Sequence, residues 1–351
     1  MQENVLERME RIGAERKMAD FNVKMNMDYE FKVKYAEIRA WEFYNECMSR
    51  GLNCHVSVGG LDSITLFLFL KSIGIHVPGI SVSYLEDSSI QEVHKTLGIE
   101  RLLSAKKKGG TRWNKADIIK EFGFPVISKE TAAKIELLQN PSEKNKTVRH
   151  AIITGETGAY GGYQKNSRMK LSQKWLEKFG GYENDTESVS YGIPDFKVSS
   201  KCCYYLKEKP CYDWAKEHNS VPYLGLMASE GGRRAKSLKI NGCNYFGKTT
   251  IRSAPFAIFN RQDILQLALD LNVPVPKIYG KIERKTDGTL YTTKAQRTGC
   301  SMCGFGIHLE KRPHRFDLLR DRNEKEWNFW MYEIGWGHVL DYIGVEWEDR
   351  L

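Results

Sequence analysis

The chain has 351 residues, 41% of them hydrophobic and 28% charged, which supplies a real core and excludes a disordered or low-complexity protein. Fifty-three lysines and arginines against 44 acids leave a formal net charge of +9. That excess favours polyanionic partners such as nucleotides or nucleic acid, although a merely basic surface accounts for it equally well.

The N-terminus, MQENVLERMERIGAERK, is charged and lacks the apolar stretch of a secretory signal. No run of about 18 apolar residues follows anywhere, so the expectation is a cytoplasmic protein with no membrane partner. Residues 1–50 read as a helical N-terminal extension. Cys54–Val58 reads as a short buried strand, Ile64–Ser72 as a helix closed by Gly74, and Gly79–Tyr84 as a second strand. Ser89–Leu97 is a second helix, Glu100–Ser104 a third strand, Asn114–Phe122 a helix and Ala151–Thr154 another strand. From about 161 to 198 the pattern fails, and an insertion around one helix, Leu171–Phe179, is expected. Helix returns at Cys211–His218 and Arg261–Leu271. Short strands alternating with helices predict an α/β protein with a doubly wound, mostly parallel sheet. The main domain is placed at 51–320, and 321–351, with Trp327, Trp330, Trp336 and Trp347, is a C-terminal helical segment. These tryptophans read as core or as a subunit contact, not as a cofactor box.

The stretch CHVSVGGLDSITLFLFL, Cys54–Leu70, carries the first chemical signal. A strand that ends in Ser-x-Gly-Gly-x-Asp-Ser and runs into a helix is suited to phosphate. Gly59 and Gly60 let the backbone approach an anion, because no Cβ intervenes. The loop's N–H groups and the helix N-terminus offer donors, and Ser57 and Ser63 add hydroxyls. Asp62 repels phosphate, so its roles are a helix cap or a carboxylate for a bridging Mg²⁺. The plain alternative is a tight turn capped by Asp62. The spacing is not that of a Walker loop.

Ser57, Gly59, Gly60, Asp62 and Ser63 together resemble the PP-loop of the ATP pyrophosphatase superfamily. The resemblance implies that the loop holds the pyrophosphate of ATP while AMP is transferred to a substrate.

KCCYYLKEKP supplies Cys202 and Cys203, and RTGCSMCGFG supplies Cys300 and Cys303. Eight cysteines in a reducing compartment do not make a disulfide framework, and two local pairs suit a soft four-coordinate metal site. Adjacent cysteines on a helix point about 100° apart, so both reach one small ion only with strain. A 4Fe–4S cluster with separated corners fits better than zinc. Zinc and plain packing remain the alternatives.

These pairs are similar to the Cys-Cys and Cys-x-x-Cys set of the adenylylsulfate (APS) and phosphoadenylylsulfate (PAPS) reductase family, whose cluster-containing branch binds a 4Fe–4S cluster. EFGFPVISKE at 121–130, LGLMASEGGRRA at 224–235 and RTGCSMCGFG at 297–306 resemble blocks of that family in the same order. The resemblance covers about 50–320 and implies an adenine nucleotide α-hydrolase-like domain. It also places Arg233 and Arg234 near a phosphate or sulfate group, where arginine forks suit the oxyanion. A solvated helix start explains the two arginines as well.

One departure bears on function. The reductases carry a nucleophilic cysteine in a C-terminal Glu-Cys-Gly-Leu-His motif, and here no cysteine follows Cys303. Of the remaining four, Cys47 and Cys54 read as packing, and Cys211 follows a proline near the cysteine pair. Cys243, in the loop-like INGCNYFG, is the candidate catalytic thiol, with a structural role as the alternative.

Other basic groups weigh less. AKKKGGTRWNK (105–115) suits a nucleic-acid backbone with Trp113 as a stacking platform, or simply a solvated face. His308, His314 and Arg315 follow the second cysteine pair as possible neighbours of its pocket. The expectation is therefore an ATP-dependent adenylating enzyme with a 4Fe–4S cluster. It acts on an adenine nucleotide and an unknown sulfur acceptor, with a sulfur donor such as a cysteine desulfurase. The rivals are an APS or PAPS reductase that makes sulfite, and a nucleic-acid-modification or defence component that binds tRNA or DNA.

Overall fold

The apolar run after Asn53 forms a strand, Asn53–Ser57, in the computed structural model, which describes residues 5–82, 84, 86–157, 167–183 and 190–348. The chain divides into two compact units, Met1–Leu103 with Pro210–Gly299 and Ser104–Lys209 with Cys300–Leu351. Among the described residues no helix is long and apolar enough to cross a membrane.

The first unit is α/β, with a six-stranded, mostly parallel sheet. Its order is Glu100–Arg101, Gly79–Ser81, Asn53–Ser57, Ser220–Tyr223, Ile251–Ser253 and Asn244–Phe246, and only the last pair is antiparallel. Val56 lies opposite Gly79 on one side and Tyr223 on the other. The chain thus starts in the middle of the sheet, runs outward to Glu100–Arg101 and returns on the opposite side of the first strand. Cys54, His55 and Val56 are all buried, as a central parallel strand requires. Leu61–Ser72 is the helix that follows, and its buried Leu61, Ile64, Leu66, Phe69 and Leu70 join the unit's main core.

Two N-terminal helices, Val5–Met25 and Tyr29–Ser49, belong to this unit. They break at Asp28, whose carboxylate accepts the Phe31 N–H at 2.8 Å. Ala36, Ala40, Phe43 and Cys47 form the buried face of the second helix. Phe43 meets the Tyr223 ring at 5.0 Å, and the Tyr223 hydroxyl donates to the Ala40 carbonyl at 2.7 Å.

Several sequence expectations change. The second and third strands end early, at Ser81 and Arg101. Ser220–Tyr223 was not expected as a strand. Pro222, opposite His55, lacks the N–H that a central ladder uses, and such a residue argues against a strand when met in sequence.

The second unit is mostly helical. Lys115–Phe122, Lys129–Gln139, Gln173–Phe179, Arg315–Arg322 and Trp336–Ile343 surround a core that contains Phe179, Phe316, Trp327, Trp336 and Trp347. Three of the four C-terminal tryptophans are thus core residues. Ala151–Thr154, expected as a strand, is the last turn of the helix Lys146–Thr154. A run of four apolar or β-branched residues fits either element, and here Gly155, at φ 81°, caps a helix. Of the expected insertion, 161–166 and 184–189 lie outside the described residues. Two short parallel strands, Val126–Ile127 and Gly304–Phe305, pair within this unit.

Candidate functional site

The loop lies at the C-terminal end of the strand Asn53–Ser57. Gly60 occupies the N-cap of the following helix with φ −79° and ψ −166°, and no side chain caps it. Asp62 is therefore not the cap; it lies in the first turn, where its carboxylate pairs with the Arg261 guanidinium. Burial pushes the Asp62 carboxyl up from its ordinary value, and Arg261 and Arg297 pull it back. Ser63 closes the loop on itself. Its Oγ accepts the Gly59 N–H at 2.7 Å and donates to the Gly60 carbonyl at 2.9 Å. His94 Nε2 donates to the Gly59 carbonyl at 2.8 Å.

The two glycines differ. A Cβ on Gly59 would meet nothing closer than Ser63 Oγ at 3.8 Å, so that backbone faces open space. A Cβ on Gly60 would lie 2.3 Å from the Tyr279 hydroxyl. Within this structure Gly60 is required by a tyrosine. That hydroxyl accepts the Leu61 N–H at 3.1 Å and bonds Thr298 Oγ1 at 2.7 Å. The sequence reading missed Arg261, Tyr279 and Thr298, because they are more than 190 positions away from the loop and belong to no local motif. Gly225, in the 224–235 block, also approaches the loop: a Cβ there would lie 3.1 Å from Ser63 Cα.

Arg261 is held by its own helix, Arg261–Asp270. Asn260 caps that helix and exchanges hydrogen bonds with Asp263 in a capping box. Asp263 pairs with Lys32 at 2.9 Å, the two side chains 9% and 4% exposed. A buried pair tolerates no loss of one partner, so the start of this helix is fixed against the second N-terminal helix. A second Arg261 nitrogen donates to the Gln296 carbonyl at 3.1 Å.

In the second unit Cys202, Cys203, Cys300 and Cys303 all line one small cavity, with Lys115, Pro125, Leu206, Lys207 and Phe305. The first pair lies on the helical turn Lys201–Cys203, which continues as a π-helical turn, Tyr204–Glu208; such turns recur at functional sites. Glu136 anchors this turn through Ser199 Oγ at 3.0 Å and Lys201 Nζ at 2.8 Å. The second pair is folded by a turn in which the Cys303 N–H reaches the Cys300 carbonyl at 3.2 Å, with Met302 at φ 52°. Gly304 then enters a strand beneath Trp336, whose ring leaves no room for a Cβ.

Two lysines counter the thiols. Lys115, 8% exposed, donates to the Ser301 carbonyl between the two cysteines and lowers the Cys202 thiol. Burial still dominates and pushes Cys202 up to about 12. Burial raises Cys203 as well, against Lys129, which pairs with Glu208 at 2.6 Å. Among the described residues no three Cys, His, Asp or Glu side chains converge as they would on a single ion. The four cysteines line one cavity instead, with an enclosed space of about 10 Å³ and with Lys115 and Lys207 in the same lining. Four soft donors in one lining are of the type that could hold a polynuclear iron–sulfur group.

No family model and no curated protein matches this chain.

Cys243 is in the first unit, 2% exposed, and burial pushes its thiol up to about 11. Tyr35 and Arg39 lie beside it. Cys47 and Cys54 are packed in the core of the same unit. The backbone of Arg233 and Arg234 starts the helix Gly232–Asn241, and their side chains lie outside the described residues. Trp113 is no stacking platform: it is 8% exposed and packs on Phe122 and Tyr205. His314 caps the helix Arg315–Arg322, and Arg315 donates to the Cys303 carbonyl at 3.3 Å.

Proposed function

We propose that the chain is an ATP-dependent adenylating enzyme of the PP-loop kind, acting in sulfur transfer. In this reading the loop Ser57–Ser63 takes the nucleotide's pyrophosphate. An acceptor attacks the α-phosphorus, and pyrophosphate leaves. The observation that carries the reading is the position of the loop. It follows the C-terminal end of the one strand about which the sheet order reverses, the place where open α/β sheets bind ligands, and a helix N-terminus begins there. The same reversal supports a doubly wound, adenine nucleotide α-hydrolase-like sheet.

Gly59 has no side chain to obstruct an anion, and its N–H is held by Ser63 Oγ at 2.7 Å. Arg261, paired with Asp62, is a cation beside the loop for developing charge. Among the described residues no cluster of acids surrounds Asp62, so a Mg²⁺ there would take one carboxylate and complete its shell with substrate phosphates and water.

Cys202, Cys203, Cys300 and Cys303 would hold a 4Fe–4S cluster, which supplies a reducible iron–thiolate centre when bound. Lys115 keeps the Cys300–Cys303 turn in place through Ser301, and Lys129 offsets charge at Cys203. The partners in this reading are an adenine nucleotide, a sulfur acceptor and a sulfur donor such as a cysteine desulfurase, in the cytoplasm.

Sulfur transfer is favoured over reduction of APS or PAPS by the state of Cys243. A buried thiol pushed up to about 11 is almost wholly protonated near neutral pH and is a poor nucleophile. The test is an ATP–pyrophosphate exchange screen against candidate acceptors, run beside a sulfite assay with APS or PAPS and thioredoxin or glutathione. Acceptor-dependent exchange without sulfite is expected. Sulfite release abolished by Cys243→Ser would replace this reading with the reductase.

A further inference from the structure

Two of the loop's backbone donors are already engaged by side chains. Gly59 N–H is held by Ser63 Oγ at 2.7 Å, a bond internal to the loop. Leu61 N–H is held by the Tyr279 hydroxyl at 3.1 Å, a bond from outside it. Leu61 opens the helix, so its N–H is one of the free donors that a helix N-terminus offers to an oxyanion. A phenol oxygen stands where such an oxygen would bind.

Tyr279 is not there by chance of a surface rotamer. It is 3% exposed and closes the short turn Lys277–Tyr279. The Ile278 N–H donates to Ser89 Oγ at 3.1 Å, and the Lys294 N–H donates to the Tyr279 carbonyl at 3.1 Å. Thr298 Oγ1, 2.7 Å away, gives the hydroxyl a second partner that survives if Leu61 is released. Gly60 supplies the space, since a Cβ there would lie 2.3 Å from the phenol oxygen.

We propose that the Tyr279 hydroxyl is a displaceable plug on the loop's anion position: it holds Leu61 N–H in the free protein and yields it to a phosphate oxygen of the incoming nucleotide. The proposal rests on the pyrophosphate reading of the loop. Displacement breaks one hydrogen bond, keeps the bond to Thr298, and leaves no buried donor unpaired, because phosphate replaces the phenol on Leu61. A ligand without phosphate has nothing to put on Leu61 N–H and cannot drive the exchange. Tyr279 is a positioning residue that sets how strongly phosphate must bind before the loop opens.

Tyr279→Phe separates the hydroxyl from the ring. It leaves Leu61 N–H unpartnered in the free protein only, a penalty that a bound phosphate relieves. Inorganic pyrophosphate and ATP should therefore bind the variant about tenfold more tightly than wild type, while adenosine binds both alike. Thr298→Val takes away the partner on which the released hydroxyl relies, so it should weaken pyrophosphate and ATP binding by a smaller factor and leave adenosine unchanged. Titration calorimetry of the full chain with pyrophosphate, ATP and adenosine reads all three.

Tighter pyrophosphate and ATP with unchanged adenosine supports the plug. Unchanged or weaker pyrophosphate affinity in Tyr279→Phe, with wild type binding normally, overturns the plug and leaves the pyrophosphate reading standing. Pyrophosphate and ATP bound by neither protein overturns both. Should Tyr279→Phe fail to fold, Thr298→Val decides alone, and any result other than weaker pyrophosphate with unchanged adenosine overturns the plug.

Discussion

The loop of the first unit and the cysteine cavity of the second meet the same problem in opposite ways. Around the loop, polar groups are partnered internally: Gly59 by Ser63, Leu61 by Tyr279, Asp62 by Arg261. Around the cavity, four cysteines line space for about one water, and burial raises the Cys202 and Cys203 thiols. In the proposed reading, binding at the first site would be an exchange of partners, whereas a metal group at the second would take the protons of the cysteines. A loop whose donors are already engaged would lose affinity to its own hydrogen bonds, and a thiol site would depend on its metal for its form.

The largest effect should fall on the dependent site. Anaerobically purified protein is expected to hold about four irons per chain with matching sulfide, and Cys203→Ser and Cys300→Ser should each lose them. One tightly bound zinc without sulfide would break the comparison. Asp62→Asn should lower ATP turnover by about 10²-fold or more, since the carboxylate positions charge at the loop, while far-UV circular dichroism stays unchanged. Turnover within a few-fold of wild type would mean that the Asp62–Arg261 pair is only structural.

Acid should act on the first unit through His55. Burial, with a smaller contribution from His218, lowers His55 to about 4, and its Nδ1 meets Ser220 Oγ at 2.8 Å. A histidine depressed in the fold favours folding above its ordinary value near 6.5, and that contribution drains away as pH falls toward 4. At pH 5 the loss is about 2 kcal/mol. The protection of Asn53–Ser57 against hydrogen exchange, taken relative to the intrinsic exchange rate at each pH, should fall between pH 7 and 5 in wild type and much less in His55→Gln. The smallest effect concerns Gly60. Gly60→Ala drives a methyl into the Tyr279 hydroxyl and should destabilise by about 1–3 kcal/mol. Tyr279→Phe in the same chain should recover part of it, because the next ring atom lies at an ordinary 3.6 Å. Additive losses would show that the phenol does not fill that space.

What was legible in the sequence was local. Strand, loop and helix around Gly59–Gly60 announce themselves in seven residues, because glycine spacing and an apolar run are read without knowing the fold. Both cysteine pairs were legible for the same reason. What escaped was contributed from a distance: Arg261, Tyr279 and Thr298 reach the loop only after the chain has left the sheet and returned, and no spacing rule connects them to Gly60. Pro222 concealed a central strand, and the run Ala151–Thr154 was too short to show a helical period. Trp113 was read by type, as an aromatic among lysines, when its ring packs inward on Phe122 and Tyr205.

The central claim is that the loop serves a pyrophosphate-releasing reaction. The most direct measurement follows ATP labelled at the α and γ positions through turnover by anaerobically prepared protein with an active acceptor, and identifies both labelled products. The account predicts AMP, free or on the acceptor, and intact pyrophosphate. Labelled ADP with inorganic phosphate would contradict it.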